Sequence, residues 1–406
     1  MPEENWKIAY VSPRYAPGAA GGAEVLIQNW AERMRERGHY SEVLTTCVRD
    51  HFTWENEYPP GEEVIRGVRV RRFPSDPPDH RLRSFYLDRI ASGLSLSREE
   101  EEALIGSVAV SRSLCDRITA CRDEFDFFIF SPYLFGLTYF GARRAPGKAI
   151  IVPCLHDEPF AYLKIIRRLF SSAAGIFFNS VPERKFAGKL LRASGEKSAV
   201  VGMGIEAPGP PDPDAFRRKY NLDGPFLFYA GRREGGKNTP LLIEYFRTFR
   251  RYRGTGLKLV LCGTGEVDLK REDRNSIRDL GYLEEAGKWD AYAASLAFCH
   301  PSTNESLSIV LLESWLTGKP ALVNAFSPVT LDHCRRSGGG LYFRDYFEFE
   351  EALLYLLREP AAAGRMGERG REYVRRYYDW EKVLDRLETA LGRCRRRQYL
   401  NPAAEI

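Results

Sequence analysis

The chain is poor in the features that would place it among secreted, membrane-spanning or metal-binding proteins. Its eight cysteines, at 47, 115, 121, 154, 262, 299, 334 and 394, include no CxxC pair. Several fall in strand-like runs, where a thiol behaves as a small apolar side chain, so reduced buried cysteines are expected and not a metal centre or a disulfide framework. The start, Met1-Pro2-Glu3-Glu4-Asn5-Trp6-Lys7, is polar and enters a strand pattern directly. It has neither the basic opening nor the apolar core of a signal peptide, which predicts a cytoplasmic protein. The longest apolar stretch, residues 126–141, is broken by Ser131, Pro132 and Gly136 and is too short to cross a bilayer. An excess of one charge is missing too: 60 basic residues face 55 acidic ones, a formal net charge of +5. The arginines are dispersed and no RNA- or DNA-binding motif appears, so nucleic acid is not an expected partner.

What the sequence does have is length and apolar content. With 406 residues, 44% of them hydrophobic and 13% aromatic, two or three domains with substantial cores are expected. Short apolar runs alternate with helix-length segments, the pattern of βαβ units and parallel sheets. In the first half the spacing predicts strands at 8–12, 43–48, 127–130, 150–155, 176–179 and 199–202, and a hairpin over 64–73 around Gly67. Ala23, Leu26, Ile27, Trp30 and Met34 repeat at helical spacing until Gly38. Residues 81–122 read as polar and mostly helical. A proline-rich stretch over 204–214 reads as a linker. Strands are then expected at 226–230, 257–262, 296–300, 321–324 and 340–343.

The most informative stretch is Pro301-Ser302-Thr303-Asn304-Glu305-Ser306-Leu307-Ser308-Ile309-Val310-Leu311-Leu312-Glu313. A strand runs into it and an amphipathic helix runs out to about Leu316. Such a junction exposes unpaired backbone N–H groups and the positive end of the helix dipole, which favour a phosphate. Glu305 falls on the turn and Glu313 two helical turns later, so two carboxylates bracket the anion site, one for sugar hydroxyls and one for ribose. Two further junctions have the same character. Gly21-Gly22 opens the first helix after Ser12-Pro13-Arg14-Tyr15-Ala16-Pro17-Gly18-Ala19-Ala20, and Gly231-Arg232-Arg233-Glu234-Gly235-Gly236-Lys237 follows the strand at 226–230. Glycine lets a backbone approach an anion closely, while Arg232 and Lys237 can grip phosphate oxygens. Neither is the G-x-G-x-x-G fingerprint, which disfavours a nicotinamide enzyme. His156 has no second ligand at i+4, which argues against a metal. Asn304-Glu305-Ser306 matches a glycosylation sequon only formally.

On these junctions the chain resembles the retaining glycosyltransferases of family 4, whose architecture is called GT-B. The usual family segment is Glu-Gly-Phe-Gly-Leu followed by an apolar pair and the second Glu; here Ser306 and Ser308 replace both glycines and Leu307 the Phe. The resemblance implies an α/β fold of two doubly wound Rossmann-like domains with parallel sheets facing a central cleft. Residues 1–205 would form the acceptor-side domain, with a C-terminal helix at about 380–398 packing back, and residues 206–379 the donor domain. It implies transfer of a hexose from a nucleoside diphosphate sugar, UDP-glucose first, to a glycan or lipid-linked acceptor. Arg232 and Lys237 would hold the diphosphate, Glu305 and His156 the sugar, and Glu313 the ribose. The backbone of Ser306, Leu307, Ser308, Ile309 and Val310, with Gly21, Gly22 and Gly231, would complete the cradle. The edge at Asp279-Leu280-Gly281-Tyr282-Leu283 would meet the base, with Tyr282 either stacked on it or facing solvent. No metal and no cofactor are implied. The Glu-Ser-x-Ser-Ile-Val variant, with Asp332-His333-Cys334 and the Gly338-Gly339-Gly340-Leu341-Tyr342-Phe343 run, suggests bacterial polysaccharide assembly. An epimerase or phosphorylase on the same fold, or a non-catalytic sugar-nucleotide sensor, are the alternatives. Arg167-Arg168 beside Leu163, Ile165, Ile166, Leu169 and Phe170, with Arg393, Arg395, Arg396 and Arg397, would suit an anionic membrane surface, unless the apolar face is core and the arginines are solvated.

Overall fold

In the computed structural model of the chain, residues 5–16, 21–191 and 195–400 are described; Pro17, Gly18, Ala19 and Ala20 of the first glycine loop lie outside them. The chain divides into two compact units, residues 1–203 with 383–406, and residues 204–382.

The first unit runs β1 (Lys7–Ser12), α1 (Gly22–Glu36), β2 (Tyr40–Thr46), β3 (Gly61–Ile65), β4 (Val68–Phe73), α2 (His80–Ala91), α3 (Arg98–Ile105), α4 (Arg112–Cys121), β5 (Phe127–Phe130), α5 (Gly136–Ala142), β6 (Ala149–Ile151), α6 (Lys164–Ser172), β7 (Gly175–Phe178), α7 (Val181–Leu191) and β8 (Ser198–Val200). The strands form one sheet in the order β3-β4-β2-β1-β5-β6-β7-β8. All neighbours pair in parallel except the β3–β4 hairpin. The helical repeat in α1 buries Leu26, Ile27, Trp30 and Met34 completely or nearly so, and Gly38 ends the segment at φ 94°. Each such side chain removed from water stabilises the unit by about 1.5–3 kcal/mol.

The second unit follows with α8 (Pro213–Tyr220), β9 (Phe226–Ala230), α9 (Thr239–Arg253), β10 (Lys258–Cys262), β11 (Ile277–Asp279), α10 (Glu285–Ala294), β12 (Ala297–His300), α11 (Ile309–Leu316), β13 (Ala321–Asn324), α12 (Pro328–Ser337), β14 (Gly340–Phe343), α13 (Tyr346–Arg358) and α14 (Pro360–Tyr377); α15 (Trp380–Leu400) begins here and runs into the first unit. Its sheet is wholly parallel, ordered β11-β10-β9-β12-β13-β14. The proline stretch resolves at Asp212, whose carboxylate caps α8 by accepting from Ala215 N–H at 2.8 Å, with Pro213 at the first helical position.

In both sheets the first strand of the unit sits between strands that follow it in opposite directions: β1 between β2 and β5, β9 between β10 and β12. Such a reversal opens a crevice at the carboxyl ends of the strands, where the βα loops diverge. In the second unit the loops leaving β9 and β12 are therefore neighbours.

Two expectations are corrected, and one short strand was not among those expected. The strand expected over 150–155 ends at Ile151, so His156 lies five residues beyond it and not at its tip. Pro153 has no N–H to give a ladder, and Cys154 turns to φ 53°. The helix proposed for a membrane surface is α6, and its apolar residues are core: Ile165, Ile166, Leu169 and Phe170 are at most 2% exposed. Its outward face carries Lys164, Arg167 and Arg168, with Ser171 and Ser172 at its end. The three-residue strand β11 went unread, being too short to show periodicity.

Candidate active site

The β9 loop is shaped by glycine. Gly231 takes φ 150° and Gly263, after β10, takes φ 131°, both open chiefly to glycine. A Cβ on Gly263 would lie 1.8 Å from the Gly231 carbonyl oxygen, so the two turns pack backbone to backbone. Arg233 locks this arrangement: it is buried, its guanidinium pairs with Asp279 and donates to the Gly265 carbonyl, and its N–H donates to the Thr264 carbonyl at 2.7 Å. Arg232, next to it, is 44% exposed at its side chain and lies 3.1 Å from Glu234. Of these adjacent arginines one is buried in the turn and the other is exposed beside it.

From this loop Lys237 reaches across to the β12 loop. Its Nζ lies 2.7 Å from Glu305 Oε1, and His300 Nε2 lies 3.0 Å from the same oxygen. Lys237 and Glu305 are separated by 68 residues and meet because β9 and β12 are adjacent. Glu305 is nearly buried, which by itself raises a carboxyl pKa, but the Lys237 ammonium and His300 outweigh burial and hold it well below the ordinary range. The carboxylate is therefore charged and acceptor-only. Tyr229, whose hydroxyl donates to the Arg232 carbonyl at 2.6 Å, closes the floor.

Beyond Glu305 the chain turns through Ser306 and the buried Leu307. His333 Nε2 lies 3.0 Å from the Leu307 carbonyl and its Nδ1 lies 3.0 Å from the Tyr373 hydroxyl. Burial pushes His333 down to about 4, so it is neutral near pH 7. Ser308, at φ 64° and ψ 67°, is the residue before α11. The N–H groups of Ile309 and Val310, in the first turn, have no intrahelical acceptor. Glu313, further along α11, is buried on α10: Lys288 Nζ lies 3.0 Å from Oε1 and the Tyr292 hydroxyl donates to Oε2 at 3.0 Å. Burial drives Glu313 upward against the pull of Lys288. Tyr282 is 66% exposed and Leu283 half-buried, leading into α10.

The remaining expected residues belong to the first unit. Gly21 and Gly22 open α1, and the carboxylate of Glu24 folds back over Gly21, 1.9 Å from where a Cβ would stand. Glu24 pairs with Arg14. His156 is half-buried with Nδ1 3.5 Å from Glu158 Oε1, and Glu158 accepts from the Tyr133 hydroxyl at 2.9 Å. The loop before His156 hangs on Glu183, which accepts from Leu155 N–H at 2.6 Å and Asn179 N–H at 2.5 Å. Burial pushes Glu183 up to about 7 against these donors, and pushes the Cys154 thiol up to about 12, with Glu183 and Glu24 adding to it.

Thus the structure brings together Lys237 and Glu305, and places Gly231, Arg232, Glu313 and the Ser306–Val310 backbone on the loops and helix around them; it sets Gly21, Gly22 and His156 on the other unit. His300, Arg233, Lys288, His333 and Glu183 were missed. His300 had one signal in the sequence, a polar residue closing an apolar strand; the others had none. Among the described residues no group of three or more His, Cys, Asp or Glu side chains is arranged to hold a metal, and no helix is long and apolar enough to cross a membrane.

Residues 212–373 match the family model for Glycosyl transferases group 1. Phosphatidyl-myo-inositol mannosyltransferase of Mycobacterium tuberculosis is 27% identical over 221 residues, 48% of this chain and 57% of that protein; the chain thus spans little more than half the length of this relative. D-inositol 3-phosphate glycosyltransferase of Saccharomonospora viridis is 24% identical over 422 residues, 93% of this chain and 91% of that protein. Among solved structures, Anabaena HepE in complex with UDP and glucose superposes with a TM-score of 0.69 at 14% identity, over 96% of this chain and 100% of that one. The two parallel-sheet units are those of the GT-B fold, and the likeness to Glycosyl transferases group 1 covers residues 212–373.

Proposed function

We propose that the chain is a retaining hexosyltransferase that moves a hexose from a nucleoside diphosphate sugar to a hydroxyl of a glycan or lipid-linked acceptor. The observation that carries this is the Lys237–Glu305–His300 cluster beside the amino end of α11, at the strand reversal of a group 1 glycosyl transferase domain. A sugar pyrophosphate has two needs, charge stabilisation on the phosphates and hydroxyl recognition on the sugar. Lys237, Arg232 and the α11 amino end meet the first; the charged acceptor Glu305 meets the second. In binding, Lys237 turns from Glu305 to the diphosphate, and His300 keeps the carboxylate in place. Glu313 receives the ribose hydroxyls, and Tyr282 and Leu283 border the base.

In the reaction the bond from the sugar anomeric carbon to the phosphate oxygen breaks and a bond to the acceptor oxygen forms on the same face. The acceptor proton passes to the departing phosphate, and fixed cations stabilise the charge that develops there. No metal ion is required by this scheme, since protein cations supply the charge. UDP-glucose is the first donor to try, since the neighbouring fold was solved with UDP and glucose. Polysaccharide assembly is the setting suggested by the Glu-Ser-x-Ser-Ile-Val variant. Association with an anionic surface would rest on cations and not on an apolar face: the exposed Lys164, Arg167 and Arg168, with Arg393 and Arg396 of α15, at about 1 kcal/mol per cation.

The test is a thermal-shift panel of UDP-, GDP- and ADP-sugars, followed by NMR of the product's anomeric configuration. A ligand at 100 times its Kd should stabilise by about 2.7 kcal/mol. A protein indifferent to every nucleotide sugar refutes the reading, and an inverted product refutes retention.

A further inference from the structure

Ser308 carries two costs in the free protein. The residue is 4% exposed and its hydroxyl oxygen has no hydrogen-bond partner, although a buried hydroxyl is normally satisfied. It stands at the cap position of α11 yet does not bond back to the helix, which is what a serine in that place usually does. Its backbone is left-handed, a conformation disfavoured for any residue with a side chain. Glycine would remove both costs. The hydroxyl shares the amino end of an eight-residue helix with the first-turn N–H groups, which also have no partner inside the helix, and the turn that delivers it carries Glu305.

We propose that Ser308 is a donor-contact residue whose hydroxyl donates to an oxygen of the nucleotide sugar, either on the pyrophosphate or on the sugar. This rests on the donor-site reading above. It adds a side-chain contact where the resembling family offers only backbone, and so makes position 308 a determinant of which donor is accepted. The hydroxyl left unpaired in the free protein would be paired in the complex, so its burial opposes the folded free protein but favours the bound one.

Two substitutions separate this role from packing. Ser308→Ala keeps the Cβ and removes only the hydroxyl; Ser308→Gly also frees the backbone. Melting temperature is measured without ligand, and affinity by calorimetry with UDP and with UDP-glucose, or with the GDP or ADP pair if that pair binds the wild type. Both variants should melt no lower than wild type, Ser308→Gly higher, while binding weakens by about 10-fold, the loss of one hydrogen bond to a charged or strongly polar oxygen. A loss already seen with the bare nucleotide assigns the contact to phosphate; a loss seen only with the sugar conjugate assigns it to the sugar. Wild-type affinity of Ser308→Ala for both ligands overturns the proposal and leaves the donor-site reading standing. A wild-type protein that binds none of the nucleotides or conjugates overturns that reading and this proposal together.

Discussion

Replacing Lys237 by Met should expose how strongly the Glu305 carboxylate depends on its cation. The ammonium lies 2.7 Å from Oε1, with side-chain exposures of 24% and 10% for Lys237 and Glu305. At an effective dielectric near 20 the gross attraction at this separation is about 6 kcal/mol. Removing one member of a buried pair typically costs about 3–5 kcal/mol, because the other charge is stranded. Water reaches Lys237 and His300 remains at 3.0 Å, so about 2–4 kcal/mol is expected. Glu305→Gln should cost less, and the double substitution should recover about 2 kcal/mol relative to additivity. Because the two units need not unfold together, the readout is hydrogen exchange of the β9 and β12 amides and not a global melt. The pH dependence follows from the lowered Glu305 pKa. Its contribution is present above the ordinary carboxyl value of 4.5 and is lost as pH falls below it; the double variant should lack that acid-side loss. In turnover, Lys237→Ala should fall by about 10²–10³-fold, the scale of one preorganised charge stabiliser. A coupling energy under about 0.5 kcal/mol, or a folded Lys237→Ala enzyme of unchanged turnover, would refute the reasoning.

Three further outcomes are expected. Glu183, raised from 4.5 to about 7, binds a proton more readily folded than unfolded, so stability should fall as pH rises between those values, by at most about 3 kcal/mol; melts at pH 5 and pH 8 should show the slope, and Glu183→Gln should flatten it. Sugar transfer should survive EDTA, and activity that vanishes and returns with magnesium or manganese would contradict charge stabilisation by Arg232, Lys237 and α11 alone. With the apolar face of α6 in the core, flotation with anionic liposomes should be weak, abolished by high salt and by Arg167→Glu with Arg168→Glu; binding that persists in high salt would point to apolar insertion elsewhere.

The local junctions were legible in the sequence. The turn from β12 into α11 and from β9 towards α9 and the α1 repeat from Ala23 to Met34 all follow from hydrophobic period and glycine and proline placement, which act over a few residues. Glu305, Lys237, Arg232 and Glu313 could thus be singled out as residue types at the right kind of junction. Their distant partners could not. Lys288 beside Glu313 and Arg233 against Asp279 depend on which elements lie next to which, whereas His300 and Glu305, five residues apart, meet through the turn after β12. The order β10-β9-β12 is set by packing of helices on both faces and leaves no trace in any short window. For the same reason the sequence could not say which of Arg232 and Arg233 is buried, nor that α6 turns its apolar face to the core. It fixed no charge state either: the raised pKa of Glu183 and the lowered one of Glu305 come from opposite balances of burial and neighbouring cations, and tertiary structure alone brings those neighbours in.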